Sequence, residues 1–218
     1  MLDLDLSSLF ADRGDDDAPE PTVRLLTVCT GNICRSPLAE QLLRTRMRPL
    51  DVAVASAGTR GLTGRPMTDD ARRLASGLGV APDDAAAHRA RWMDESHLAD
   101  VDLVLAMTRE HRAAAVALAP SRTRAAFTVR EFARLAEGLD DAAVRTAARA
   151  AGTDPHARVR AVLALLAVRR GETPPPADPA DADVVDPYGQ PWEVYQRSAA
   201  QMLPGIEAVV RVMRAALS

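Results

Sequence analysis

The amino-acid sequence predicts an α/β fold: a doubly wound, mainly parallel four-stranded sheet with helices on both faces and a binding loop directly after the first strand. Three observations carry this. Residues 23–28 form an apolar run interrupted only by Arg24 and Thr27, the pattern of a strand buried on both faces. Short apolar runs then alternate with segments of helical spacing, as in parallel strands joined by crossover helices. A loop containing Gly31 and Asn32 links the first run to the first helical segment, and in such sheets ligands bind beyond the carboxyl ends of the strands.

The elements follow in order. After the loop, Leu38, Leu42, Leu43 and Met47 recur at helical spacing, with Ser36 expected at the cap and Pro37 at the first helical position. Residues 52–57 read as a second strand. Thr68 or Asp69 caps a helix carrying Ala71, Leu74, Ala75 and Leu78, and Gly79 ends it. Residues 103–106 are a third strand, followed by a helix over 108–119 that Pro120 closes. A weaker strand over 124–128 and a short helix through Phe132 and Leu135 complete the alternation. Asp140 and Gly152 bracket one further helix. Asp154-Pro155 opens another with Val159, Val162, Leu163 and Leu166 on one face, so residues 138–171 read as a helical hairpin. A Pro-rich linker spans 172–183. Val194, Tyr195, Met202, Leu203, Ile206, Val209, Val210 and Met213 predict a long final helix, which Pro204 is expected to kink or break near Leu203.

A chain of 218 residues suffices for one well-buried domain, and 47% hydrophobic with 26% charged residues is an ordinary globular composition. The longest uninterrupted apolar run, residues 161–168, falls far short of the ~20 residues that a membrane span needs. No basic start followed by an apolar core opens the chain, so no signal peptide and a cytoplasmic location are expected. Residues 1–21 carry seven acids and one arginine, and residues 172–186 carry five acids and no base, so the rest of this chain of net charge −3 is positive. That excess favours anionic substrates. Without basic clusters interleaved with aromatics it does not point to nucleic acid. His97, His111 and His156 fall on polar helical stretches with no ligand-like spacing, so no metal and no cofactor is assigned.

The stretch Cys29-Thr30-Gly31-Asn32-Ile33-Cys34-Arg35-Ser36 carries the chemistry. A short loop at a strand end curls its backbone N–H groups inward, and the following helix N-terminus adds partial positive charge, which together make an oxyanion hollow. Gly31 and Asn32 are the residue types that most readily take positive φ in such a curl. Arg35 supplies a planar fork that matches two phosphate oxygens. A thiol at the floor of such a site favours the thiolate, a nucleophile. Thr30, Gly31, Asn32, Ile33, Cys34 and Ser36 are therefore expected to build the phosphate loop around Cys29 and Arg35. The two cysteines, inside one loop, suit redox or catalytic chemistry better than a structural staple.

This loop, together with Asp186-Pro187-Tyr188-Gly189 near the C-terminus, resembles the low-molecular-weight protein tyrosine phosphatases of bacterial type. The resemblance extends through Val54-Ala55-Ser56-Ala57-Gly58-Thr59, through His88 and Arg91, and through residues 102–107. It implies a phosphotyrosine hydrolase in which Cys29 attacks phosphorus, the loop amides and Arg35 hold the transferring charge, and Asp186 protonates the leaving phenolate and then activates water. Asp183 is the fallback acid. The resemblance further implies that Asn32, Ser36, Glu40 and His88 knit the loop together, and that Leu62 and Tyr188 form opposite walls around an aromatic ring. In the family the second thiol, here Cys34, traps an oxidised nucleophile as a reversible disulfide; a small core residue is the compatible plainer reading. Relative to the family, residues 138–171 are an insertion within a single domain of residues 22–218, and residues 1–21 are a disordered acidic tail.

By the same resemblance, Ile33 stands where a threonine marks relatives that act on phosphoarginine, so isoleucine favours phosphotyrosine. Thr108 replaces the family's usual acidic residue, and Gly189 replaces a second tyrosine, leaving a more open rim. The implied partners are phosphotyrosine-containing proteins, a bacterial tyrosine kinase among them. Two alternatives compete. An arsenate reductase of the same fold that is coupled to thioredoxin needs further cysteines, and none follows Cys34. A non-catalytic phosphotyrosine-binding module would lack one of the chemical residues, yet Cys29, Arg35 and Asp186 are all present.

Overall fold

The computed structural model describes residues 23–218; the acidic segment 1–21, expected as a tail, lies outside the described residues. Four strands, β1 (Val23–Cys29), β2 (Val52–Gly58), β3 (Leu103–Ala106) and β4 (Ala126–Thr128), form one sheet in the order β2-β1-β3-β4. Every pairing is parallel. The central strand β1 pairs Cys29 with Gly58 of β2 and Val28 with Ala106 of β3, so its carboxyl end opens between two neighbours.

Nine α-helices occur among the described residues: α1 (Arg35–Met47), α2 (Asp69–Gly77), α3 (Pro82–Ala87), α4 (Ser96–Ala99), α5 (Arg109–Leu118), α6 (Val129–Glu137), α7 (Asp141–Ala150), α8 (Pro155–Glu172) and α9 (Trp192–Leu217). The period-two alternation of β1 divides the core. Val23, Leu25 and Cys29 join a large apolar cluster with α1, α6, α7, α8 and α9, whereas Leu26 and Val28 join a smaller one with Leu98 and Ala115 on the opposite face. Thr27, on the first face, donates its hydroxyl proton to the Ser36 carbonyl at 2.8 Å. Cys29 is thereby directed to the face that carries α1.

Several boundaries differ from the sequence expectation for identifiable reasons. Helix α1 starts at Arg35, with Cys34 as its uncapped boundary residue. Ser36 is not the cap, because its hydroxyl is spent on Cys29 and Asn32. Strand β4 is shorter than residues 124–128, because a 3-10 turn at Pro120–Arg122 runs on to the bond from Ala125 N to Arg122 O. Helix α9 runs unbroken through Pro204. Pro204 and Ala200, the residue whose carbonyl it leaves unbonded, are both exposed. The next residue, Gly205, lies so close to α6 that a Cβ would stand 2.2 Å from Val129 O.

Helices α7 and α8 pack on each other and on α9, with Val144, Ala148, Val159, Val162, Leu163 and Leu166 buried in the main cluster. Asp140 caps α7 through Ala143 N, and Asp154 caps α8 through His156 N and Ala157 N. The Pro-rich stretch after α8 is tied down by Arg134, which donates to Thr173 O and Pro174 O. No helix among the described residues is long and apolar enough to cross a membrane.

Candidate active site

The loop after β1 is held by Asn32, the one non-glycine residue with positive φ (56°) among the described residues; Gly31 does not share that conformation. A left-handed turn is least costly for glycine and asparagine, and here the amide does further work. Its Nδ2 donates to Ser36 Oγ (2.9 Å) and Ser56 Oγ (2.8 Å), and its Oδ1 accepts from Arg91 N (2.8 Å). Ser56 Oγ in turn donates to Glu40 Oε2 at 2.5 Å. His88 Nε2 donates to the Asn32 carbonyl at 2.8 Å, and burial pushes this imidazole below its usual value. The other ring nitrogen, Nδ1, lies 3.8 Å from Glu40 Oε2, beyond hydrogen-bond distance. The residues implied to brace the loop, Asn32, Ser36, Glu40 and His88, form one buried network, joined by Ser56 and Arg91.

The cleft bounded by this loop has a volume of about 250 Å³ and is lined by Cys29, Thr30, Gly31, Ile33, Cys34, Arg35, Arg60, Leu62, Asp186 and Tyr188. Two larger grooves, about 990 and 880 Å³, lie along α6 and α9 and at the ends of α1 and α9, but neither contains a thiol. Chemistry rather than size singles out the smaller one. Cys29 Sγ stands 3.0 Å from Ser36 Oγ. Because Ser36 Oγ accepts the Asn32 amide proton, its own proton is left for that sulfur or for the Ala57 carbonyl, at 3.4 Å. Arg35 is 4% exposed. Its Nη1 donates to Val184 O (3.1 Å), and its Nη2 meets Asp186 Oδ2 (2.7 Å) and Thr30 Oγ1 (3.4 Å). Its Nε is buried with no partner. Buried donors are almost always satisfied, so this one points to an absent acceptor.

The second wall is stitched to the loop by backbone bonds from Thr59 N to Cys29 O, Arg60 N to Thr30 O, and Leu62 N to Gly31 O. Glycine is required at position 58, since a Cβ there would stand 2.4 Å from Thr30 O. Leu62 (41% exposed) and Tyr188 (57%) flank the mouth. Asp186 sits at the rim, its side chain half exposed. The segment before it is anchored: Val184 N donates to Met107 O and Val185 N to Gln201 Oε1. Asp183 is taken up by Arg109, with Nη2 at 2.9 Å and the backbone N at 2.8 Å, and does not line the cleft. Cys34 is a free, buried thiol, 3.4 Å from Thr68 Oγ1 and 3.7 Å from the Tyr195 hydroxyl, and burial pushes its pKa up.

Sequence reasoning passed over His111. It is buried, with Nε2 2.9 Å from Thr30 Oγ1 and Nδ1 2.9 Å from Thr108 Oγ1. Its only sequence signal was a position one turn into α5, three residues after the capping Thr108.

Residues 24–144 match the family model described as low molecular weight phosphotyrosine protein phosphatase. The chain belongs to this family. Among its relatives, the low molecular weight protein-tyrosine-phosphatase Etp of Escherichia coli (strain K12) is 43% identical over 96 residues, 44% of this chain and 62% of Etp. The alignment thus spans less than two thirds of that relative. A protein-arginine-phosphatase of Geobacillus stearothermophilus is 35% identical over 115 residues, 53% of this chain and 74% of the relative. Of solved structures, the low molecular weight protein tyrosine phosphatase from T. tengcongensis superposes with a TM-score of 0.59 at 29% identity, covering 86% of this chain and 97% of that one. The YwlE arginine phosphatase from G. stearothermophilus gives 0.59 at 27% identity, covering 86% and 90%. Relatives and solved structures alike thus carry two substrate names, tyrosine and arginine.

Proposed function

We propose that the protein hydrolyses phosphotyrosine in proteins, as an aryl phosphate monoester, through a phosphocysteine intermediate. The observation that carries this reading is the unpartnered, buried Arg35 Nε in a cleft whose lining also holds the Cys29 thiol and the Asp186 carboxyl. Arg35 Nη2 stands 2.7 Å from Asp186 Oδ2. A phosphate dianion competes for that guanidinium, satisfying Nε and releasing Asp186 to carry a proton. Cys29 Sγ then attacks phosphorus, the phosphorus–oxygen bond to the ring breaks, and Asp186 gives its proton to the departing phenolate. In the second step Asp186 takes a proton from water, the water oxygen attacks phosphorus, and the sulfur leaves as a thiolate that Ser36 stabilises by hydrogen bonding. The loop amides and Arg35 hold the equatorial oxygens in both steps.

The walls at Leu62 and Tyr188 suit an aromatic ring, and isoleucine at position 33 supports phosphotyrosine over phosphoarginine. Phosphotyrosine proteins, a bacterial tyrosine kinase among them, are the proposed partners, and the bacterial cytoplasm is the proposed compartment; the named relatives are bacterial. We read residues 22–218 as one phosphatase domain with α7 and α8 as its insertion. Hydrolysis of p-nitrophenyl phosphate tests the enzyme: activity in the wild type, near-total loss in Cys29→Ser and a large loss in Asp186→Ala are expected, and an inactive wild type refutes the reading. Peptides bearing phosphotyrosine, phosphoserine or phosphoarginine test the substrate, and a higher kcat/KM on phosphoarginine refutes the tyrosine assignment.

A further inference from the structure

We propose that His111 is a positioning residue for the oxyanion site: acting through the Thr30 hydroxyl, it fixes the donors that Thr30 and Arg35 present to a bound phosphate group. The inference rests on reading the cleft as an oxyanion site. His111 comes from α5, outside the loop and the acid segment, and its side chain is wedged between two hydroxyls, Thr108 Oγ1 and Thr30 Oγ1.

Thr108 Oγ1 accepts the backbone N–H of His111 in capping α5 and keeps its own proton to donate, and we assign that proton to Nδ1. The ring proton is then on Nε2 and is donated to Thr30 Oγ1. Burial, with the Arg35 charge next, pushes His111 down to about 4, and Asp186 and Asp183 oppose this too weakly to restore the charge. The imidazole is neutral, so one ring nitrogen donates while the other accepts. Thr30 Oγ1 thus receives one proton from His111 and a second from Arg35 Nη2. Both of its lone pairs are then filled, and its own proton is left for an anion in the cleft that Thr30 and Arg35 line. Without His111 that hydroxyl is free to rotate and to keep its proton from the anion.

Binding of inorganic phosphate, followed by titration calorimetry on the full chain, tests this without relying on turnover. His111→Ala and Thr30→Val are each expected to weaken binding about ten-fold, the worth of one hydrogen bond. If His111 acts through Thr30, adding His111→Ala to Thr30→Val costs nothing further. His111→Gln, whose amide reaches as far as Nε2, restores binding, whereas His111→Asn, which reaches only as far as Nδ1, does not. Additive losses in the double variant, equal affinities for the Gln and Asn variants, or unchanged affinity in His111→Ala would overturn the proposal. If His111→Ala does not fold, the Gln and Asn pair decides. A wild type that binds phosphate but leaves p-nitrophenyl phosphate intact removes the phosphatase reading and leaves this inference standing. One that binds no phosphate overturns the inference.

Discussion

Replacing Asn32 separates two contributions to the shape of the loop. The side chain makes three hydrogen bonds, buried ones to Ser36 Oγ and Ser56 Oγ and a half-buried one to Arg91 N, and its backbone holds φ at 56°. At about 1 kcal/mol for each bond, Asn32→Gly should lose about 3 kcal/mol of folding stability. Asn32→Ala loses the same bonds and adds a left-handed strain of about 1–2 kcal/mol, partly offset by about 0.5–1 kcal/mol of unfolded-state entropy, so it should fall about 1 kcal/mol below the glycine variant. Against the ~5–15 kcal/mol available to a domain, that is a large fraction. Urea unfolding reads both numbers as shifts in midpoint at constant slope. The reasoning is refuted if the alanine variant equals or exceeds the glycine variant, or if both lie within about 1 kcal/mol of wild type. Phosphate affinity should drop in both, since the same bonds hold the loop amides in place.

Three further outcomes are expected. Gly205→Ala brings a Cβ against Val129 O and should destabilise by about 2–3 kcal/mol, with α9 pushed off α6; a midpoint unchanged in urea would contradict the close approach. His111 sits at about 4 when folded, below its unfolded value of 6.5, so the unfolded chain binds the extra proton between those limits. Its contribution is therefore complete above pH 6.5 and is lost as pH falls towards 4, about 3 kcal/mol in all. The difference in stability between wild type and His111→Gln, followed from pH 7 to 4, should shrink by that order, and a constant difference would disprove the assignment. Gly61→Ala sets a Cβ 2.0 Å from Arg91 O, so it should displace the Leu62 wall and raise KM for aryl phosphates more than it lowers kcat; unchanged kinetics would refute that close packing.

Much of this architecture was readable from residue pattern because its signals are local. The apolar run of β1, the capping Thr68, and the Asp140 and Asp154 starts of α7 and α8 each declare themselves within a few residues. What escaped depends on contacts distant in sequence. Ser36 has the local signature of a helix cap, and only the return of β2 beside β1, with Ser56 and Ala57, shows why its hydroxyl turns inward. Pro204 is a helix breaker by local rule, but it falls on the exposed side of a helix held by packing along its length. His111 looked like any polar residue on a surface helix, because its partner Thr30 lies 81 positions away and is brought near by the pairing of β3 with β1.

The three residues before Asp186 are fastened to four different parts of the molecule: Asp183 to Arg109 of α5, Val184 to Met107 after β3 and to Arg35 of α1, and Val185 to Gln201 of α9. They act as a cable clamp. Slack in the chain upstream of Asp183 is taken up there, so the place of the Asp186 carboxyl does not depend on the length of chain that delivers it. Since the entropic cost of a longer connection grows only slowly with its length, the two helices between α6 and Asp183 lengthen this connection at little entropic cost.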